Sequence, residues 1–193
     1  SQHVTLEGLP EFVLFNDPLV VSVAPEEGYA LISVEVIMNG EDITSEVYAN
    51  NTIAIPEVKG EISIAALASP PIVFEDEAVK AICVENWGGN YIEGEVTEYE
   101  ASVVSNLSGQ FTNNTTITSF DELRYFTGLT ALNSAFEGCA NLTSVILPKS
   151  PLTTLGAAFS GCTKLVTCQI PTDVTWILGT SGLEYTFNKC EDL

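Results

Sequence analysis

The sequence predicts a multi-domain α+β protein: a small N-terminal β-sandwich of immunoglobulin-like size, a short helical cap, and a C-terminal solenoid of repeats with leucine at fixed places. Three observations carry this. Residues 1–68 hold short runs rich in β-formers, separated by turn signals. Residues 74–116 shift to helical period, with acids in the first turns. From residue 117 a unit led by Phe, then Gly-Cys, then Leu returns along the chain.

In the first region "FVLF" and "LVVSVA" are β-rich, and "YALISVEVIM" alternates about Ser33, Val34, Glu35 and Val36. Asn39-Gly40 follows, a pair suited to a type I′ hairpin because both residues tolerate positive φ. "TIAIP" and "EISIAALA" add two strands about a turn at "EVKG". Short strands at this spacing suggest a small sandwich. "SPPIV", residues 69–73, is the expected linker, since prolines stiffen it and cannot join a central strand.

In the second region "EDEAVKAICVENW" sets Val79, Ile82, Cys83 and Val84 on one helical face, with acids where the helix dipole favours them. "TEYEASVVSNL" opens with Thr97-x-x-Glu100, a capping box, and aligns Val103, Val104 and Leu107. "SFDELRYF" offers the same device at Ser119-x-x-Glu122.

The repeat occupies residues 117–193. Phe136, Phe159 and Phe187 lead three copies spaced 23 and 28 residues apart, the longer step holding the insert "DVTWILGTSGLEY". Cys139, Cys162 and Cys190 follow three residues on, and Leu142, Leu165 and Leu193 six. Each complete copy ends in a strand closed by proline: Leu142, Val145, Leu147, Pro148, then Leu165, Cys168, Ile170, Pro171. Such a unit cannot bury its apolar side alone, so copies stack into one core. Gly138 and Gly161 suit a tight turn; the third copy has Lys189 there, so its turn is expected to differ. The third copy stops at its first strand position, as a cap or the beginning of a longer array.

Charge narrows the function. Residues 1–100 hold 19 acids and two Lys, or −17; the remainder holds seven acids and four bases, or −3, which sums to the −20 of the chain. A field of that sign repels phosphate backbones, which excludes nucleic acid as a partner. No run approaches the roughly 20 apolar residues of a membrane span. Five cysteines without a CxxC pair argue against a disulfide framework or a zinc site. Cys is expected as a small buried apolar residue in each rung. The single histidine, His3, leaves no Ser triad or Cys–His pair, so an enzyme is not expected.

Ala135-Phe136-x-Gly138-Cys139-x-x-Leu142-Thr143-Ser144-Val145-x-Leu147-Pro148, with its counterpart from Ala158 to Pro171, resembles the leucine-rich repeats of the BspA type in surface proteins of gut and oral anaerobic bacteria. The segment "PIVFEDEAVKAICVENWGGN" is similar to the helical lead-in of such arrays, and "VEVIMNGEDIT" to small Ig-like modules of bacterial surface proteins. The resemblance implies an extracytoplasmic protein, at the cell surface with or without a lipid anchor, or secreted. It implies adhesion to a host or bacterial surface protein or to a glycan, no cofactor and no catalysis.

The expected ligand surface is the strand face, where Ser144 and Ile146 in one rung and Thr167 and Gln169 in the next point outward between buried neighbours. Trp176, in the insert, is a candidate for stacking on sugars; Trp87, ending a helix, is expected in the core. Two alternatives remain: a glycan-binding component of a nutrient-capture system, and a calcium-dependent module. The latter rests on "GNYIEGEVTEYE", which overlays an EF-hand loop. Places one and three are Gly89 and Tyr91; only Glu93 and Glu100 keep ligand chemistry, so no metal is expected.

Overall fold

The computed structural model describes residues 3–172 and 185–193. The chain divides into two compact units, Ser1–Pro71 and Ile72–Leu193.

The first unit contains β1 (Val4–Glu7), β2 (Leu19–Pro25), β3 (Ala30–Met38), β4 (Glu41–Asp42), the one-turn helix α1 (Thr44–Val47), β5 (Tyr48–Ala49), β6 (Thr52–Ile55) and β7 (Ile62–Ser69). One sheet has the order β1-β2-β6-β5 and the other β4-β3-β7; every pairing is antiparallel. Alternation decides which side faces in: Leu19, Val21 and Val23 of β2 and Ile53 and Ile55 of β6 are buried. They share one apolar cluster with Val36 and Ala66 of the other sheet. Asn39 (φ 54°) and Gly40 (φ 83°) both take positive φ between β3 and β4, as a type I′ turn requires. The "EVKG" turn contributes Val58 to the core, and its backbone exchanges hydrogen bonds with Asn16 and Asp17 at 2.8 and 2.9 Å. Of the expected linker, Ser69 instead pairs with Ala30 in β7, and Ile72 is buried in the second unit with its amide bonded to the Val96 carbonyl.

The second unit opens with α2 (Glu77–Trp87) and α3 (Glu98–Ser102). It continues with β8 (Ser119–Phe120), a 3₁₀ helix (Asp121–Tyr125), β9 (Ser144–Ile146) and β10 (Thr167–Gln169). The α2 face forms as its spacing predicts, with Val79 and Cys83 fully buried and Ile82 and Val84 packed beside them. Two helical expectations are corrected. After the Thr97–Glu100 capping box, α3 ends at Ser102; Val103 is exposed, and Leu107 belongs to the first copy of the repeat. Ser119 does not cap a helix: it pairs with Ser144 in a parallel sheet, and the 3₁₀ turn starts after Phe120 without a side-chain cap. Tertiary pairing outweighs a local capping pattern that is worth only about 1 kcal/mol.

The Phe residues stand in single file. Phe136 stacks on Phe159 (5.3 Å, 6° between planes) and Phe159 on Phe187 (5.5 Å, 5°). The file also extends backwards, because Phe111 stacks on Phe136 at 5.1 Å and 19°. A copy therefore precedes the three read from sequence, with Leu107, Phe111, Ile117 and Phe120 where the next has Leu132, Phe136, Leu142 and Val145. All eight are essentially buried in one cluster with Val79, Cys83 and Ala101 of the helices.

Candidate functional site

Each copy satisfies the backbone of its neighbour. The amides of Leu107, Gly109, Phe111 and Asn113 donate to the carbonyls of Ala131, Asn133, Ala135 and Glu137. One copy later Leu132, Ser134, Phe136 and Gly138 donate to Thr154, Gly156, Ala158 and Ser160. Phe159 and Gly161 continue the row to Thr186 and Asn188. Alternate N–H groups point along the stack, so an isolated copy leaves these donors unpaired beside an apolar core.

The cysteines join this ladder. The Cys139, Cys162 and Cys190 thiols donate to the carbonyls of Phe111, Phe136 and Phe159 at 3.0, 3.1 and 3.1 Å. Cys is thus more than a filler: it bonds back to the Phe of the preceding copy. Burial pushes Cys139 up to about 11; it also pushes Cys162 up to about 12, with the adjacent Cys139 and Cys190 adding to the rise. Burial raises Cys83 as well, and the Glu122 carboxylate adds to it. All five thiols are free. Thiols raised in this way are poor nucleophiles and poor metal ligands at neutral pH.

The strand face is formed by the parallel ladder β8-β9-β10. Ser144 lies beside Thr167 and Ile146 beside Gln169, so the four predicted residues form two adjacent pairs. Ser144 and Ile146 are half-buried, whereas Thr167 and Gln169 are exposed. A shallow groove of about 460 Å³ takes in Ile146, Thr167 and Gln169 but not Ser144, and is bounded also by Asp121, Val166 and Leu193. Asp121 and Val166 carried no sequence signal for this role, since both flank the strands. Behind the face Val145 is buried, but the next rung is looser: Ile170, expected to point inward, is 52% exposed. Among the described residues β10 and β8 are the two edge strands of this sheet, with β9 between them.

The Lys189 turn keeps the geometry of its glycine counterparts, contrary to expectation. Its φ of 61° matches Gly138 at 74° and Gly161 at 78°. The stack dictates the backbone, and Lys189 accepts a conformation that L-residues seldom adopt.

Trp176 lies outside the described residues. In the EF-hand-like loop, Glu93 is exposed, while Glu100 is 4% exposed. One Glu100 oxygen accepts from the Asn90 backbone and side-chain amides, the other from the Thr97 amide and hydroxyl, at 2.7–3.0 Å. The loop therefore spends its last carboxylate on the start of α3. No group of three or more His, Cys, Asp or Glu able to hold a metal ion occurs among the described residues. Trp87 packs edge-on against Phe126 (5.8 Å, 80°) and lines a cavity with Tyr91 and Tyr99. No described helix is long and apolar enough to cross a membrane.

No curated protein and no solved structure matches the chain. Residues 109–193, a little under half of it, match the family described as BspA type leucine rich repeat region (6 copies), and these repeats are the ones whose Phe file and thiol ladder are described above.

Proposed function

We propose that this chain is a non-catalytic, extracytoplasmic recognition module, at a cell surface or secreted, that binds a protein partner through the strand face of its repeats. In this reading the first unit is an immunoglobulin-like sandwich, α2 and α3 are a helical cap, and the file of copies is a solenoid. The carrying observation is the register that sets Ser144 beside Thr167 and Ile146 beside Gln169. These side chains stand on a backbone already tied from copy to copy, so a partner meets a surface that loses little conformational entropy on binding. The shallow groove of about 460 Å³ suits a flat epitope better than an enclosed small molecule. The match to BspA-type repeats supports an interaction or surface module. The one histidine is engaged elsewhere: His3 stacks on Tyr29 at 4.2 Å and bonds to Glu26 at 2.9 Å.

The test is binding of the chain to immobilised extracellular-matrix and bacterial surface proteins, with a glycan array in parallel. The reading expects a protein ligand whose binding disappears in the Thr167→Arg/Gln169→Arg variant while the melting temperature holds. Binding indifferent to that variant, or a glycan signal abolished by Trp176→Ala, would replace it with another surface.

A further inference from the structure

The cavity at the C-terminal end of α2 shares no residue with the strand face. It measures about 520 Å³ and is lined by Trp87, Tyr91 and Tyr99, with Asn90, Glu100 and Asn106 among its polar groups. Tyr91 and Tyr99 meet edge-on (6.0 Å, 82°), and Trp87 is braced by Phe126. The three rings line one depression, so a compact group seated there meets aromatic surface contributed by α2, the loop after it and α3.

Electrostatics selects the sign of the guest. No Lys or Arg among the described residues lines the cavity. Residues 85–100 hold Glu85, Glu93, Glu95, Glu98 and Glu100 without one basic residue. Lys80 is committed to Glu95 at 2.8 Å. Glu100 in the wall is the decisive group: buried, and hydrogen-bonded, among the described residues, by the neutral donors of Asn90 and Thr97. None of the ion pairs among the described residues involves it. A carboxylate removed from water without a counter-charge favours a cation nearby. Aromatic faces add to that attraction through their quadrupoles, most strongly for a Trp ring.

We propose that this cavity binds an alkylammonium group, as carried by a methylated lysine side chain or by choline, held against Trp87, Tyr91 and Tyr99 with Glu100 as the counter-charge.

The experiment is a two-dimensional amide NMR titration of the whole chain, following the Trp87 indole N–H and the Asn90 side-chain amide. The probes are choline, a trimethyllysine-containing peptide, the neutral choline isostere 3,3-dimethylbutan-1-ol, and glucose. The expected result is a saturable shift with at least one cation and binding of the isostere roughly tenfold weaker or less. The better of the two cations distinguishes a free from a peptide-borne guest. Tyr91 is 40% exposed, so Tyr91→Ala should leave the fold intact; it should weaken the cation roughly tenfold. Glu100→Gln, whose amide oxygen can keep the Thr97 side of the capping box while Asn90 loses its acceptor, should weaken the cation more than the isostere. Equal binding of cation and isostere, saturation by glucose alone, no response to either cation, or cation binding untouched by Tyr91→Ala would each overturn the proposal.

Discussion

Asp76 accepts from the Ala78 and Val79 amides with one oxygen, and from the Thr118 amide and hydroxyl and the Ser119 amide with the other. One side chain thus starts α2 and fixes the approach to β8. Burial alone would raise its carboxyl, but the bonds from Thr118 and then from Val79 and Ala78 outweigh it and hold the pKa below the usual carboxylate value. A depressed folded-state pKa gives stability that is fully present above the unfolded value of about 3.9 and lost as pH falls through the folded one. Asp76→Asn should therefore cost about 1–3 kcal/mol at neutral pH, because Thr118 loses its acceptor. In urea unfolding the deficit should shrink below about pH 4; a deficit constant into strong acid would contradict this account. The backbone makes a second prediction. Two left-handed positions recur in every copy: Gly109, Ser134, Ala157 and Tyr185 two residues before each Phe, and Asn113, Gly138, Gly161 and Lys189 two after. A non-glycine residue there costs about 1–2 kcal/mol, and glycine's greater freedom when unfolded returns about half. Ala157→Gly and Lys189→Gly should each raise the melting temperature modestly. Gly138→Ala should lower it more than Gly161→Ala, because its methyl runs into the Asn113 side chain whereas at Gly161 the nearest atoms are 3.5 Å away.

At the scale of elements, the parts legible in sequence were those with strong local chemistry. Asn39-Gly40, the α2 face, the Thr97–Glu100 box and the Phe-x-x-Cys-x-x-Leu unit each repeat a pattern with one physical solution. The first copy escaped because Asn114 stands in the Cys place and Asn113 in the Gly place, which hides the motif although Phe111 keeps the packing. Ser134, Ala157 and Tyr185 escaped too, since none of them advertises positive φ. The thiol bonds to Phe carbonyls are long-range contacts that no single copy reveals. Of the site, the outward pairs were legible from strand alternation, whereas the aromatic cavity was not: its rings come from a helix end, a loop and a helix start. Two outcomes belong here. Melting with and without millimolar calcium should give the same midpoint, as both Glu100 oxygens already accept from Asn90 and Thr97 and are not open to direct coordination of a metal ion; a calcium-dependent rise would contradict that. With a thiol reagent at pH 8, Cys83, Cys139 and Cys162 should stay unlabelled in the native protein and react on unfolding. Labelling of Cys139 or Cys162 while the rest stays folded would mean that the ladder opens locally.

Across the whole molecule, two separate apolar clusters serve two units: one gathers the β2, β3, β6 and β7 side chains, the other runs from Ile72 to Leu165. In the second, helices and successive copies share one core, so its stability depends on neighbours rather than on any single copy. Phe136, fully buried between Phe111 and Phe159, should cost about 3–5 kcal/mol when cut to Ala. Phe187, stacked on Phe159 and 37% exposed, should cost less. The strand face stands on this stack, so in the proposed reading its shape depends on the packing behind it. The most direct measurement is native-state hydrogen exchange at the Phe111, Phe136 and Phe159 amides, each bonded to the next copy. The account predicts similar protection at all three, falling together in Phe136→Ala; a fall confined to residue 136, with Phe111 and Phe159 unchanged, would contradict a single shared core.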